Sequence, residues 1–311
     1  LPEVKSSRKK SCFTFIEMLG VVVIAGILVG ILIPAVSRVR TRSGFVRWVA
    51  FNFKINRDPA VVVNYNFETS DYMTKIKGTY VPALYNGAIG STAAGYDPAL
   101  YNGLLRNNPE WILGGGRWPF KKALQFDGSS SYVQIVGQRN LDFDPMKDDF
   151  TIVLWVKFNN LEPQVLVSKG PSLSKSQYNL FARTASVDAT VGNSSTRWRR
   201  PGLNKDTWYH LVLVNNAGKH YRVYLNSVLM QDAEPDKNVL PQKIKYSSGV
   251  LIGVCGCGGA KQNTVGAGTQ EACLKGCCGN FFYGRMDEFI IYNRALSEEE
   301  ILAHYQVGRP Y

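Results

Sequence analysis

Residues 13–36, "FTFIEMLGVVVIAGILVGILIPAV", form an apolar run of 24 residues containing a single ionisable side chain, Glu17. At about 1.5 Å rise per residue a helix of this length spans ~36 Å, enough to cross the hydrocarbon core of a bilayer. Lys5, Arg8, Lys9 and Lys10 precede the run and set its N-terminal side toward the cytoplasm. A secretory signal would have a shorter apolar region followed by a small-residue cleavage site, and none is evident after residue 36. A lipoprotein signal would place its cysteine after the run, whereas Cys12 lies before it. Two readings remain, an ordinary anchor and a leader that is cut ahead of the run.

The formal net charge of +12 is concentrated at this end: residues 1–57 hold ten Lys/Arg against Glu3 and Glu17. A nucleic-acid-binding domain would carry its basic residues on the folded body, so this distribution argues against that class and fits basic flanks around a membrane segment. An unpaired carboxylate in hydrocarbon costs roughly 2.5–3.5 kcal/mol on insertion scales. Glu17 therefore requires a partner, or a position near enough to the interface to reach water. Pro34 removes a backbone donor and is expected to kink or locally melt the helix.

The stretch "SCFTFIEMLGVVVIAGILVGILIPA" resembles the class III signal of type IV pilins and type II secretion pseudopilins. The resemblance implies cleavage by a prepilin peptidase between Cys12 and Phe13, with modification of the new N-terminus. Residues 1–12 would then be a leader, Glu17 the fifth residue and Pro34 the twenty-second. The family nearly always has Gly before the cut, and here Cys12 stands in its place. The resemblance further implies that Glu17 pairs with the amino group of Phe13 on a neighbouring subunit, and that the chain forms a homo-oligomeric helical filament. It also implies an inner-membrane assembly machinery as partner, and residence in the inner membrane before export to the cell surface.

After Pro34, Val36, Val39, Val46, Val49 and Phe53 recur at helical spacings with Arg38, Arg40, Arg42, Arg47 and Lys54 between them. The pattern predicts an amphipathic continuation half-buried against the following domain and ending near Arg57, because Asp58-Pro59 disfavours helix. Residues 13–57 thus read as one helix and residues 58–311 as a β-rich domain. "AVVVNYNF", "SYVQIV", "FTIVLWVKF", "QVLVSK", "YNLFAR", "WYHLVLVNN", "YRVYLNSVLM", "GVLIG" and "EFIIYN" are short β-branched and aromatic segments punctuated by turn residues. Together they predict an antiparallel β-sandwich. One further helix is expected at "LSEEEILAHY", where Ser297 and Glu300 have capping-box spacing.

"VVNYNFE", "NGLLRNNPEWI", "ALQFDGSSSYVQI", "DDFTIVLWVKF", "TWYHLVLVNNAGKHYRVYLNSVLM" and "YGRMDEFIIYNRALSEEEILAHY" are similar, in order, to the signature segments of LamG-like (concanavalin A-like) jelly-roll domains. The resemblance covers about residues 60–308 and implies a sandwich of around a dozen strands, with 69–110 as a long loop plus an edge strand. Glycosidases of this fold place paired carboxylates along one strand, typically E-x-D-x-x-E. That motif is missing, and the three histidines, 210, 220 and 304, lie in unrelated contexts. No enzymatic activity is expected, and His210 is expected to pack or hydrogen-bond.

The same resemblance suggests a structural Ca²⁺ held by Asp127 and Asp287, with Glu68 a third candidate; turn formation and strand-end capping are the alternative roles for the two Asp. For a glycan, Trp198 flanked by Arg197, Arg199 and Arg200 offers an aromatic face beside cations that suit acidic groups, against the alternative of a loop tryptophan packed on the sandwich. Cys255, Cys257, Cys273, Cys277 and Cys278 fall within 24 Gly-rich residues, an insertion in the sandwich. Their spacing matches no common zinc pattern, and outside the cytoplasm disulfides are expected, with one sulfur left over. Two functional classes follow: a structural filament subunit, or a minor or tip subunit whose jelly roll binds carbohydrate as an adhesin does.

Overall fold

The computed structural model describes residues 14–170, 176–183, 186–192, 202–234, 249–255 and 280–310, and the backbone of 194–199. It divides into two units, the first ending at Gly44 and the second comprising Phe45–Pro310. Helix α1, Phe15–Asn56, begins in the first and ends in the second. In the first unit the helix runs on through Pro34, and every side chain from Thr14 to Arg40 is exposed. The expected melting at Pro34 is not seen. Proline removes one N–H, which leaves the Gly30 carbonyl without its usual donor, but the turns on either side keep theirs.

In the second unit the strands are β1 (Val61–Tyr65), β2 (Met73–Ile76), β3 (Thr79–Leu84), β4 (Gly103–Arg106), β5 (Glu110–Ile112), β6 (Ala123–Asp127), β7 (Tyr132–Ile135), β8 (Phe150–Phe158) and β9 (Gln164–Lys169). They continue with β10 (Tyr178–Arg183), β11 (Ser186–Val191), β12 (Ser194–Arg199), β13 (Trp208–Asn216), β14 (His220–Leu225), β15 (Val228–Ala233), β16 (Val250–Ile252) and β17 (Tyr283–Tyr292). Helix α2, Glu298–Gly308, closes the chain. One sheet has the order β15-β14-β13-β8-β17-β6-β5, with β1 also paired to β17; the other runs β12-β11-β10-β9-β16-β7-β4-β3-β2. The pairings are antiparallel throughout, which gives the expected jelly-roll sandwich.

The hydrophobic runs explain the central strands. FTIVLWVKF in β8 and WYHLVLVNN in β13 are buried almost along their whole length, because helices cover the face that a two-layer sandwich would leave wet. One face joins the main core with Leu154, Val156, Leu211 and Phe289. The other joins a second cluster in which Val153, Val212 and Ile290 meet Ile55 of α1 and Leu296 and Ile301 of α2. Residues 69–110, expected as a loop with an edge strand, contribute β2, β3 and β4, with β2 at the sheet edge. The segment YRVYLNSVLM is a hairpin rather than one strand. Asn226 and Ser227 both have positive φ, 50° and 65°, the backbone of a tight two-residue loop.

The face that α1 presents in the second unit differs from the valine stripe read from the sequence. Trp48, Asn52 and Ile55 are buried, at helical spacings of four and three, whereas Val46, Val49 and Phe53 are 60%, 45% and 56% exposed. Hydrophobicity alone selected the wrong face, since the contact is made by an indole and an amide that have polar partners to meet. The end of α1 is tied down by asparagines: Asn64 Nδ2 donates to Asn56 Oδ1 (2.7 Å), Asn64 N to Asn86 Oδ1 (2.8 Å), and Asn86 N to Asn102 Oδ1 (2.9 Å).

At α2 the expected capping box is formed, with Glu300 N donating to Ser297 Oγ and Ser297 N to Glu300 Oε2. Ser297→Ala removes one half of it and should cost about 1 kcal/mol, read as a fall in melting temperature of roughly 2–4 °C. An unchanged melting temperature would show that the contacts of α2 with the sheet hold it without the cap.

Candidate functional site

A β-bulge organises the charged centre of the molecule. Along β17 the pairing with β8 slips between Met286 and Glu288, so Asp287 is an extra residue. Two consecutive carboxylates can then serve the same guanidinium, where regular alternation would point them to opposite faces. That guanidinium belongs to Arg117, in the Gly-rich turn between β5 and β6. Its Nε lies 2.8 Å from Asp287 Oδ1 and donates to Oδ2 at 3.1 Å, its Nη2 meets Glu288 Oε2 at 2.6 Å, and its backbone N–H donates to Asp287 Oδ2 at 2.7 Å. The remaining arm, Nη1, donates to the carbonyl of Gly308 at the end of α2 (3.2 Å). A side chain at residue 308 would collide with that same Nη1, which is why glycine ends α2.

Aromatic rings wall the cluster. The Arg117 guanidinium lies 4.4 Å from the Trp155 ring centroid and 5.1 Å from that of Trp118. Trp48 of α1 donates Nε1–H to Glu288 Oε1 (3.1 Å). A second buried cation, Lys121, places Nζ 3.9 Å from the Trp48 ring centroid and donates to the Asn66 carbonyl (2.6 Å) and to Glu68 Oε1 (3.2 Å). Burial pushes the Asp287 carboxyl up against the opposing pull of Arg117 and Lys121. At Glu288 the same burial is outweighed by Arg117, Lys121, His304 and the Trp48 hydrogen bond, and its carboxyl is held below the usual range.

Beside this cluster lie two histidines. Tyr292 OH and His304 Nε2 are 3.0 Å apart, and burial holds the His304 imidazole down to about 4, opposed by Glu288 and Glu300. His210 is fully buried, its ring 5.0 Å from that of Trp155, and neither ring nitrogen has a hydrogen-bond partner among the described residues. It packs, as expected, and burial keeps it neutral.

The expected calcium ligands are not brought together. Asp127 closes its own turn: Oδ1 accepts from the backbone of Ser129, Ser130 and Ser131 at 2.9, 2.8 and 2.9 Å, and Oδ2 from Ser130 Oγ at 2.7 Å. These donors hold its carboxyl well below the usual range even though burial works the other way. Asp287 is committed to Arg117 and Glu68 to Lys121, and no group of three or more metal-capable side chains occurs among the described residues. Trp198, Arg197 and Arg199 lie on β12, at the edge of the nine-stranded sheet, with Trp198 opposite Val187 and Arg197 opposite Asp188 in register.

Cys255 is buried against Val165 and Phe181 and is disulfide-bonded. Cys257, Cys273, Cys277 and Cys278, like Cys12 and Phe13, lie outside the described residues. Glu17 has a local partner that the sequence reading missed, although T-x-x-E is visible in it. Thr14 N and Oγ donate to Glu17 Oε2 at 2.7 and 2.9 Å, and Glu17 N donates back to Thr14 Oγ at 3.3 Å, a capping box at the start of α1.

A helix-backed jelly roll of this kind defines a lectin-like class of domain. The chain belongs to the concanavalin A-like lectin/glucanases superfamily, whose laminin G-type model matches residues 127–302. Among solved structures it is similar to the binding domain of Paraclostridial Mosquitocidal Protein 1, with a TM-score of 0.52 and 13% identity over 80% of this chain and 52% of that one. It is also similar to the binding domain of botulinum neurotoxin DC, solved in complex with rat synaptotagmin II, with a TM-score of 0.48 and 14% identity over 81% of this chain and 52% of that one. The chain thus spans about half the length of these structures, and at such identities the likeness is one of fold. No curated protein matches the sequence.

Arg117→Met should destabilise the protein by about 3–5 kcal/mol at neutral pH, because it strands two buried carboxylates. Their pKa values then rise and the folded state takes up protons, so the deficit relative to wild type should shrink on going from pH 7 to pH 5 in urea titrations. Equal deficits at the two pH values would show that the loss is one of packing.

For His304 the sign is opposite. With its folded pKa below the unfolded value, its contribution is complete above about 6.5 and is lost as pH falls toward 4, at most about 3 kcal/mol. Melting curves of His304→Gln should therefore be flatter across this window than those of the wild type.

Proposed function

We propose that this chain is a helix-mounted, carbohydrate-binding subunit of a type IV pilus-like filament, adhesin-like rather than enzymatic. The observation that carries the reading is the union of two incompatible surfaces in one chain. Phe15, Ile16, Val22, Ile24, Ile31 and Ile33 are each at least 60% exposed on a helix long and apolar enough to cross a membrane. The same chain ends in a sandwich of the lectin superfamily. A contiguous apolar surface of this size is not stable in water and requires lipid or neighbouring helices. In this reading α1 resides in the inner membrane after insertion and packs with other subunits after the peptidase acts between Cys12 and Phe13. The jelly roll is then displayed outside the cell.

Glu17 favours a filament over a plain anchor, since an anchor can use the carboxylate as a cap for Thr14 but has no use for its negative charge. The pairing with a neighbouring Phe13 amino group and the Thr14 cap make separable demands on it. Glu17→Gln keeps an acceptor for Thr14 and loses the charge, whereas Glu17→Ala loses both. Both variants should insert in the membrane, and both should fail to give filaments in sheared fractions viewed by electron microscopy. Normal filaments from Glu17→Gln would remove the charge-pairing argument and leave Glu17 as a cap. For the lectin part, the full chain in detergent should bind members of a glycan panel; binding to none would overturn it. A filament in which this chain is the dominant species by mass spectrometry would favour the purely structural role.

A further inference from the structure

The outer face of the eight-stranded sheet has one end that the helices leave open. Trp208 of β13, Lys157 of β8, Arg285 of β17 and Gln125 of β6 are directly opposite one another in register. They form a single row, which Glu110 of β5, opposite Gln125 and exposed, continues at the sheet edge. Their sequence neighbours Tyr209, Val156, Met286 and Leu124 belong to the core, so by the two-residue period of a strand this row faces away from it. Along the same face the preceding positions, Trp155 and His210, are fully buried, while all four members of the row are half-exposed. Tyr283, two residues before Arg285 on β17, continues the open surface and is 39% exposed.

The centre of the row brings two cations together. Lys157 and Arg285 are like charges placed directly opposite each other on neighbouring strands, a destabilising arrangement. Neither forms an ion pair among the described residues. Arg285 uses Nε to reach Gln125 Oε1 (3.0 Å), which fixes its plane and leaves its terminal amino groups free. Lys157 has its Nζ 5.6 Å from the Trp208 ring centroid and no hydrogen-bond acceptor among the described residues. Partial burial and the Arg285 charge lower the Lys157 pKa against the opposing pull of Asp206 and Asp287, and an anion placed between Lys157 and Arg285 would ease their like-charge contact.

We infer that this row is a subsite for a saccharide bearing a carboxylate, with the Trp208 ring under the apolar face of the sugar and Arg285 and Lys157 on the carboxylate. An aromatic plane matches the C–H face of a pyranose, and a guanidinium with a fixed plane and free terminal donors matches a carboxylate. The inference rests on the carbohydrate-binding reading and gives it a place and a ligand class.

The test is a titration of the full chain in detergent with an oligogalacturonate, its methyl ester and glutarate. The acid oligosaccharide should bind at least tenfold more tightly than the ester. Arg285→Gln, Lys157→Gln and Trp208→Ala should each weaken it tenfold or more. Without ligand, Arg285→Gln should melt at or above the wild-type temperature, since it relieves the like-charge contact.

Equal affinity for acid and ester, or wild-type affinity in Arg285→Gln and Lys157→Gln, would overturn the site while leaving carbohydrate binding elsewhere intact. Glutarate binding as tightly as the oligosaccharide would make the row an anion site and overturn the sugar assignment. An Arg285→Gln variant that melts earlier than wild type would make Arg285 a structural tie. Absence of binding to every saccharide on the glycan panel would remove the broader reading as well.

Discussion

Arg117 is the residue on which the second unit depends. One side chain reaches the bulged carboxylates of β17, the last carbonyl of α2 and, through Glu288, the indole of Trp48 on α1. Take it away and three elements distant in sequence lose their common partner at once. Asp287 and Glu288 would then be buried charges with Lys121 as their principal remaining counter-charge. The bulge at Asp287 exists for this contact, because a regular strand would turn one of the two acids into the core.

Such a cluster is a costly way to hold a fold together. Removing two cations and two carboxylates from water offsets most of what their attraction returns, and a well-packed apolar patch would serve stability as well or better. What the cluster provides is geometric exclusivity. Ile55 or Phe51 could meet the outer face of the sheet in several registers, since apolar contact is non-directional. The hydrogen bond from Trp48 to Glu288 and the Lys121 ammonium against the Trp48 ring are satisfied in one register only. The asparagine chain Asn56–Asn64–Asn86–Asn102 repeats the same logic at the other end of the stem.

What could be read from the residues follows from this division. Period-two runs such as FTIVLWVKF, the cap at Ser297 and the apolar span are local signals, and local signals identify local structure. The sandwich class follows from their number and spacing. The charged centre is assembled from residues about 170 positions apart, in "GGGRWPF" and "RMDEF", and neither segment looks unusual alone. Asp287 therefore reads in the sequence as a metal ligand or a strand-end cap, whereas its partner in the fold is a guanidinium. The valine stripe failed for a related reason, because the buried face of the stem was chosen by polar partners that a hydrophobicity pattern does not display. The Trp208–Lys157–Arg285 row is likewise invisible until strand register places three separate segments side by side.

The carboxylate in the apolar run has a role in the single helix as well as in the proposed filament. As α1 starts, the first N–H groups of the helix have no intrahelical acceptors, and in a low-dielectric setting each is expensive to leave unmet. Glu17 accepts from both the backbone and the hydroxyl of Thr14, and Thr14 Oγ accepts from Glu17 N, so the acid and the helix end relieve one another. In the proposed function this lowers the cost of keeping a charge in the membrane before a second subunit arrives. In the proposed filament a neighbouring ammonium need supply only the difference between a capped carboxylate and an ion-paired one. Capping thus makes Glu17 tolerable in the single chain, and its negative charge, which a cap does not consume, would remain available in that filament to set the register of the next subunit.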